Sequence, residues 1–305
     1  MPTLDEMTKE QLLICPACGA PIRCDEESFV CSNVNCRCSN EPFPIVSGMP
    51  AFVDFEKSVI NASRLNATDG GSELKRDRNR LKALLGALIS GRNKIAPRIV
   101  DEMLDFLRSD LKSVAANARP RIRILVVGGA TVGSGLESLY TNTEIDLIAF
   151  DVYSSPLIQF LADGHSIPLV DASVDGVIVQ AVLEHVTDPW KVAEEIHRVL
   201  RNGGIVYADT PFMQQVHEGP YDFTRFTDSG HRYLFRRFEH IDSGAVAGAG
   251  TALLWSIEYF FRALTRSMRV GRLAGLCFFW LRNTDGLLDA NYSLDAASGV
   301  YFLGR

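Results

Sequence analysis

Six of the seven cysteines in this 305-residue chain fall between Cys15 and Cys38, and clustered thiols are the residue type that metal chemistry requires. Cys15-Pro-Ala-Cys18-Gly19 sets two thiolates two residues apart, with the glycine easing the turn. Cys31-Ser-Asn-Val-Asn-Cys36-Arg-Cys38 brings a second set after an interval suited to a small ribbon. Tetrahedral zinc takes four soft ligands. Cys15, Cys18, Cys31 and Cys36 supply them, with Cys38 as the alternative to Cys36. Four thiolates leave no open position for water, so the ion is expected to be structural. It would supply much of the folding free energy of a short segment with little core. Cys24 has no partner at this spacing. The acidic N-terminus carries no expected secretion signal, which favours metal over disulfides.

A second chemistry-bearing stretch runs from Ile122 to Asp151. The apolar run Ile122 to Val127 reads as a buried parallel strand. It breaks into a turn holding Gly128, Gly129, Gly133 and Gly135, after which Leu136, Leu139 and Tyr140 have the spacing of a helix opening. A further apolar run, Ile145 to Phe150, ends on Asp151. Glycines let a ligand approach the backbone, a helix N-terminus favours negative charge, and the terminal acid can accept hydrogen bonds from ribose hydroxyls. The turn is not a clean Gly-x-Gly-x-x-Gly. A nicotinamide cofactor is therefore the lesser alternative, because an acid about 20 residues on serves both classes.

The elements that position these residues alternate along the chain. Pro156 to Leu161 reads as a helix, and Asp175 to Gln180 as a buried strand. Asp188 is a good N-cap, Pro189 takes the first helical position, and an amphipathic helix follows from Trp190 to Leu200. Asn202-Gly203-Gly204 is expected to stop that helix, with Ile205 to Asp209 the next strand and Gly299 to Gly304 the last. Such alternation implies an α/β fold, a Rossmann-like sheet with helices on both faces and ligands at the carboxyl ends of its strands. Before it, 58–120 reads as a connector and helical cover: a polar link at 61–72, a basic periodic stretch at 74–89, and a helix from Ile95.

Hydrophobic residues make up 47% and charged residues 22%, with a net charge of −6. A globular protein fits these values, and a non-specific nucleic-acid binder does not. No 18-residue uncharged apolar run occurs, so a spanning helix is not expected. A cytoplasmic location is the default.

Two resemblances sharpen the reading. The segment Phe43-Pro-Ile-Val-Ser47-Gly48-Met-Pro50, following the cysteines, resembles the Trm112-like zinc-ribbon family, with Ser47 where that family usually has Asp. Residues 1–57 would form this ribbon, and the resemblance implies partnership with a methyltransferase. Residues 122–211 resemble class I S-adenosylmethionine-dependent methyltransferases of the type 11 group. The matching pieces are Val127-Gly-Gly-Ala-Thr-Val-Gly-Ser-Gly135, Asp151, Asp163-Gly-His-Ser-Ile-Pro168, Val182-Leu-Glu-His185 and Leu200-Arg-Asn-Gly-Gly204. Residues 121–305 would form this domain, with a helical insertion at about 243–290. The usual Gly-Cys-Gly-Thr-Gly loop is here Gly-Gly-Ala-Thr-Val-Gly. The resemblance implies that Gly128, Gly129 and Gly133 flank the methionine part of S-adenosylmethionine and that Asp151 binds its ribose. Asp163 would accept from the adenine amino group, Gly164 and His165 would line the ring, and Gln180 would close beneath.

Methyl transfer to oxygen or nitrogen needs a positioned acceptor and sometimes a base. His217 is the first candidate base, followed by His185 and His231. Tyr221, Asp222 and Arg225 on the same loop are expected to face the acceptor, which is a small molecule, a saccharide or a lipid-linked compound. The chain lacks an Asn/Asp-Pro-Pro-Tyr/Phe motif after the 175–180 strand, which argues against base methylation of DNA. A catalytically weak cofactor-binding module is the alternative from another class. Residues 251–282 combine aromatics with Arg262, Arg266, Arg269 and Arg272 near one helix face. Such a stretch is either a lid with its arginines outward or a surface for peripheral membrane contact.

Overall fold

Continuous apolar runs with no polar face form strands buried on both sides. In β5 (Ile122–Val127) every residue is buried. Beside it lie β6 (Ile145–Asp151) and β8 (Val174–Gln180), both parallel to it. The computed structural model describes residues 1–25, 28–58, 93–113, 121–217 and 219–305. The polar link at 61–72 and the basic stretch at 74–89 lie outside the described residues.

Further strands are β1 (Ile22–Asp25), β2 (Ser28–Cys31), β3 (Ile45–Val46), β4 (Met49–Phe52), β7 (Phe160–Ala162), β9 (Leu200–Pro211), β10 (His240–Ala247) and β11 (Gly299–Gly304). Nine of the described strands form one mixed sheet in the order β10-β11-β9-β8-β5-β6-β7-β4-β3. The last strand, β11, inserts antiparallel between β9 and β10. Order therefore reverses outward from β5, and the switch point falls between β5 and β8, where ligands bind in such sheets.

Helices cover both faces. On one face lies α2 (Ile95–Ser113; α1 is Leu4–Lys9), which buries Ala96, Ile99, Val100, Met103, Leu104 and Leu107. It crosses β8 where Gly176 leaves room: a side chain there would begin 2.1 Å from the Met103 methyl. The short α3 (Glu137–Thr141) contributes Leu139 to the same face. The opposite face packs Val192, Ile196 and Val199 of α4 (Pro189–Val199), together with Leu234 of α5 (Asp228–Leu234). The Asp188 side chain accepts from the Lys191 amide and Pro189 opens α4, as the sequence predicts.

The cysteine-bearing N-terminal segment shares this second core. Met7, Leu13, Phe29, Phe43 and Phe52 pack with Phe150 and Phe160 of the sheet. Phe52 meets Phe29 and Phe43 edge-on, with ring centroids 5.4 and 5.3 Å away. Backbone pairing stitches the two together as well, with Ala51 opposite Leu161 and Phe52 opposite Ala162.

Two expected boundaries are corrected. Residues 156–161 are not a helix: after a turn at Pro156 the chain enters β7, whose apolar residues pair with β6 on one side and β4 on the other. Tertiary pairing overrides the local pattern there. Asn202-Gly203-Gly204 does not separate helix from strand, because α4 ends at Val199 and β9 begins at Leu200. The glycines lie within β9, where the register against β8 shifts between Val174 and Gly176.

Between β10 and β11 lies a helical insertion: α6 (Ala249–Thr265), α7 (Met268–Cys277), a 3-10 stretch (Phe279–Gly286) and α8 (Ala290–Leu294). Asp285 ties its start to its end by accepting from the Gly248 and Gly250 amides. Among the described residues, no helix is long and apolar enough to cross a membrane.

Candidate functional site

The carboxyl edge of β5 turns sharply because the amides of Gly128 and Gly129 both donate to Phe150 O, at 3.0 and 2.9 Å. Gly128 has φ +77, and a Cβ there would stand 2.3 Å from Val182 Cγ2. A side chain at Gly133 would begin 1.9 Å from Gln180 Oε1. Asp151, at the end of β6, reaches back across this loop. One of its oxygens accepts from Ala130 N at 2.9 Å, and the other from Val152 N at 2.6 Å and Tyr153 N at 3.1 Å. Burial pushes its carboxyl up, while these amides oppose that shift.

Gln180 and Ala181 end β8 beside the loop. The Gln180 amide donates to Asp209 Oδ2 at 2.8 Å and to Ser134 O at 3.3 Å. Ala181 takes φ +53, a left-handed conformation that costs a non-glycine residue about 1 kcal/mol. Its amide donates to Asp209 O at 3.0 Å. Asp209 is a residue that sequence reasoning missed as a site element. It also accepts from Tyr207 Oη at 2.8 Å and Asn93 Nδ2 at 3.2 Å. Burial pushes its carboxyl up to about 6. Its spacing from Tyr207 puts both on one face of β9, the only local hint. Asn93 also accepts from the Ile95 and Ala96 amides, which fixes the start of α2 against the glycine loop.

Asp163, after β7, accepts from the backbone amide of His165 at 3.0 Å, from its ring Nδ1 at 2.5 Å, and from Ser58 Oγ. Burial opposes the charge, but these bonds outweigh it and hold the carboxyl below its ordinary value. The Asp163 carboxylate in turn raises His165. The Asp188 amide donates to the other ring nitrogen at 3.2 Å, which favours the neutral ring. Gly164 lies against Val192, and a Cβ there would stand 3.5 Å from Val192 Cγ1, in ordinary contact.

The acceptor-side residues divide. His185, in the 3-10 turn Leu183–His185, and His217 come together with ring centroids 5.0 Å apart. Burial lowers the basicity of both rings. Between them sits Glu184, fully buried, with no hydrogen-bond partner for either carboxylate oxygen and a carboxyl pushed up by burial to about 8. Sequence reasoning quoted Glu184 in its motif but gave it no role. His231 does not join them. It is 1% exposed on α5, caged by Phe226, Phe235 and Phe302, with neither ring nitrogen bonded and burial pushing it down to about 3. The base expected there is a core residue instead.

Asp222 and Arg225 bind each other, with a second Arg225 nitrogen 2.9 Å from Asp222 Oδ2. Asp222 also accepts from the His217 amide at 2.9 Å, and Arg225 donates to Gln214 O and Gln215 O. Burial opposes ionisation of Asp222, yet Arg225 and that amide bring it down to about 2. The pair braces the loop, whereas Tyr221 is exposed.

In the N-terminal segment the Sγ atoms of Cys15 and Cys36 are 3.8 Å apart and those of Cys18 and Cys31 are 3.5 Å apart. All four lie within 4.8 Å of one another. Thiolates around tetrahedral zinc at about 2.3 Å stand about 3.8 Å apart, so this donor set fits zinc. Cys36 completes it, and Cys38 lies outside the group of four.

The family profile described as methyltransferase domain matches residues 132–208. An uncharacterised methyltransferase of Mycobacterium sp. strain KMS is 34% identical over 110 residues, 32% of this chain and 42% of its own length. One of Mycobacteroides abscessus is 48% identical over 44 residues, 14% of this chain and 17% of its own. The chain thus spans less than half the length of these curated relatives. Among solved structures, a chain of the complex between the Haloferax volcanii Trm112 methyltransferase activator and a methyltransferase gives 19% identity and a TM-score of 0.40, covering 72% of this chain and 96% of that one. Haemonchus contortus phosphoethanolamine N-methyltransferase 2 with S-adenosyl-L-methionine gives 16% and 0.42, covering 76% and 58%. Residues 132–208, which run from the glycine loop through Asp151, Asp163 and Glu184 to β9, are thus similar to a methyltransferase domain.

Proposed function

We propose that the protein transfers the methyl group of S-adenosylmethionine to a hydroxyl or amino acceptor, with a zinc-bearing Trm112-like ribbon built into the same core. The observation that carries this reading is the methyltransferase-domain match over 132–208. It includes Asp151, Asp163 and the Glu184–His185 pair, all of which stand at the carboxyl edge of the sheet. In this reading Gly128, Gly129 and Gly133 admit the methionine part of the cofactor, Asp151 holds the ribose, and Asp163 with Gly164 and His165 holds the adenine. Each role suits the group: carboxylates accept from hydroxyls and amines, and glycines expose backbone. The acceptor enters on the side of His185 and His217. Four thiolates from Cys15, Cys18, Cys31 and Cys36 hold the zinc.

A lipid-linked acceptor is favoured by the helical insertion. α6 docks beside the His217 loop through Gln215 Nε2 to Ser256 Oγ at 3.0 Å and Tyr259 Oη to Val216 O at 3.3 Å. Its outer surface, with α7 and the following 3-10 stretch, exposes Leu253, Phe260, Leu264, Met268, Leu273 and Trp280. Five arginines against two carboxylates occupy 249–286, in a chain that is acidic overall. Apolar side chains ringed by arginines suit an anionic lipid surface.

The test is transfer of labelled methyl from S-adenosylmethionine to a lipid extract and to a water-soluble extract, with vesicle co-sedimentation alongside. Label in the lipid fraction and sedimentation with anionic vesicles support this reading. Label only in water-soluble products overturns the lipid acceptor, and no label in either overturns methyl transfer.

A further inference from the structure

We infer that Glu184, His185 and His217 form a second, open metal centre, a two-histidine, one-carboxylate site for a divalent ion of the zinc class. Glu184 Oε1 lies 3.6 Å from His185 Nε2 and 3.8 Å from His217 Nε2. All three ligand atoms fall within 4.8 Å of one another. The tautomers follow from the partners. His185 Nδ1 is 2.7 Å from Tyr221 O, and His217 Nδ1 is 3.3 Å from Gln215 O. A carbonyl only accepts, so each Nδ1 carries the proton and each Nε2 turns a lone pair toward the same carboxylate.

Two lone pairs and an unpartnered, fully buried carboxylate converge on one point. Nothing among the described residues donates to it. A cation satisfies all three at once. Ligands about 2.1 Å from a tetrahedral ion stand about 3.4 Å apart, close to the separations found here. Imidazole nitrogen with carboxylate oxygen suits zinc, iron or manganese. Backbone carbonyls holding each Nδ1–H are the outer support that metal-bound histidines usually have. Asp222, beside His217, is already paired with Arg225, so Glu184 is the carboxyl that meets the ion's charge, giving up its proton as the ion binds.

Three protein ligands leave positions open, unlike the four-cysteine site. The centre's role in catalysis rests on the methyl-transfer reading. The ion would bind a hydroxyl acceptor, favouring one with a second oxygen alongside, and lower its pKa so that the proton leaves to water. The resulting oxygen anion forms the new C–O bond with the methyl carbon. The sulfur–methyl bond breaks with its electron pair retained on sulfur, giving S-adenosylhomocysteine, the methyl ether and one released proton. His185 and His217 then act as ligands and not as free bases.

The test titrates Co²⁺ into the 305-residue chain with its cysteine site already loaded with zinc, following visible absorption and metal content after gel filtration. About one further equivalent without thiolate charge-transfer bands is expected. It should be lost in the His185→Ala/His217→Ala double variant and in Glu184→Gln, whose shape is conserved. Binding of S-adenosylhomocysteine by the same variants reports that the domain remains folded. No saturable Co²⁺ binding beyond the cysteine site, or equal binding by a folded variant, overturns the proposal. Metal binding without cofactor binding would leave this centre standing and remove the methyl-transfer reading. Cofactor binding without metal would do the reverse.

Discussion

The Asp151 carboxylate accepts the Ala130 amide at 2.9 Å, so the acid ending β6 clamps the glycine loop that ends β5. Cofactor affinity and loop shape therefore depend on the same side chain. Asp151→Ala should weaken S-adenosylmethionine binding about 10- to 100-fold, the value of hydrogen bonds to a charged group. Asp151→Asn, which keeps an acceptor, should lose less. Calorimetric titration of the two variants checks the order.

Backbone conformation at the site makes two opposite predictions. Gly128→Ala places a Cβ 2.3 Å from Val182 Cγ2 at φ +77 and should destabilise the fold by about 2 kcal/mol. Ala181 already sits at φ +53, so Ala181→Gly should be neutral or stabilising by up to about 1 kcal/mol, strain relief offsetting the added freedom of the unfolded chain. Urea unfolding of both variants gives the comparison, and loss of stability in Ala181→Gly would contradict the role given to strain.

Zinc should hold the N-terminal segment in place. Cys15→Ser should lose the thiolate-bound equivalent and expose the first 50 or so residues to protease, because metal binding there is folding free energy. Cys38→Ser should retain the metal, since Cys38 stands outside the four-sulfur group. Metal content by mass spectrometry separates the two.

The Asp163–His165 pair sets a pH window. Asp163 is lowered from 3.8, so its contribution is present above about pH 4 and is lost as pH falls through the folded value. His165 is raised from 6.5, so its contribution is present below that pH and is lost as pH rises through the folded value. The gap in Tm between the wild type and Asp163→Asn should be widest between roughly pH 4 and 6.5 and narrow on both sides. A pH-independent gap would contradict the pairing.

Much of the sheet was legible because strands buried on both faces are written as mostly apolar runs, as in β5, which Arg123 interrupts, and β8, which Asp175 interrupts. The Asp188-Pro189 start of α4 and the four zinc-spaced cysteines were legible for equally local reasons. β7 was not, because its strand character comes from β6 and β4, far apart in sequence. His231 and His217 look alike in sequence, and only packing against Phe226, Phe235 and Phe302 removes the first from the site. Glu184 was hidden for the converse reason. Its lack of a side-chain donor among the described residues is a property of the folded loop, which Asp222 and Arg225 hold over it.

The central claim is that the switch point between β5 and β8 takes S-adenosylmethionine. Calorimetric titration of the 305-residue chain with S-adenosylhomocysteine, and separately with NAD, tests it most directly. One saturable site for S-adenosylhomocysteine with a dissociation constant below about 1 mM, weakened in Asp151→Ala, is the predicted result. No heat at millimolar S-adenosylhomocysteine, with saturable binding of NAD, would contradict it.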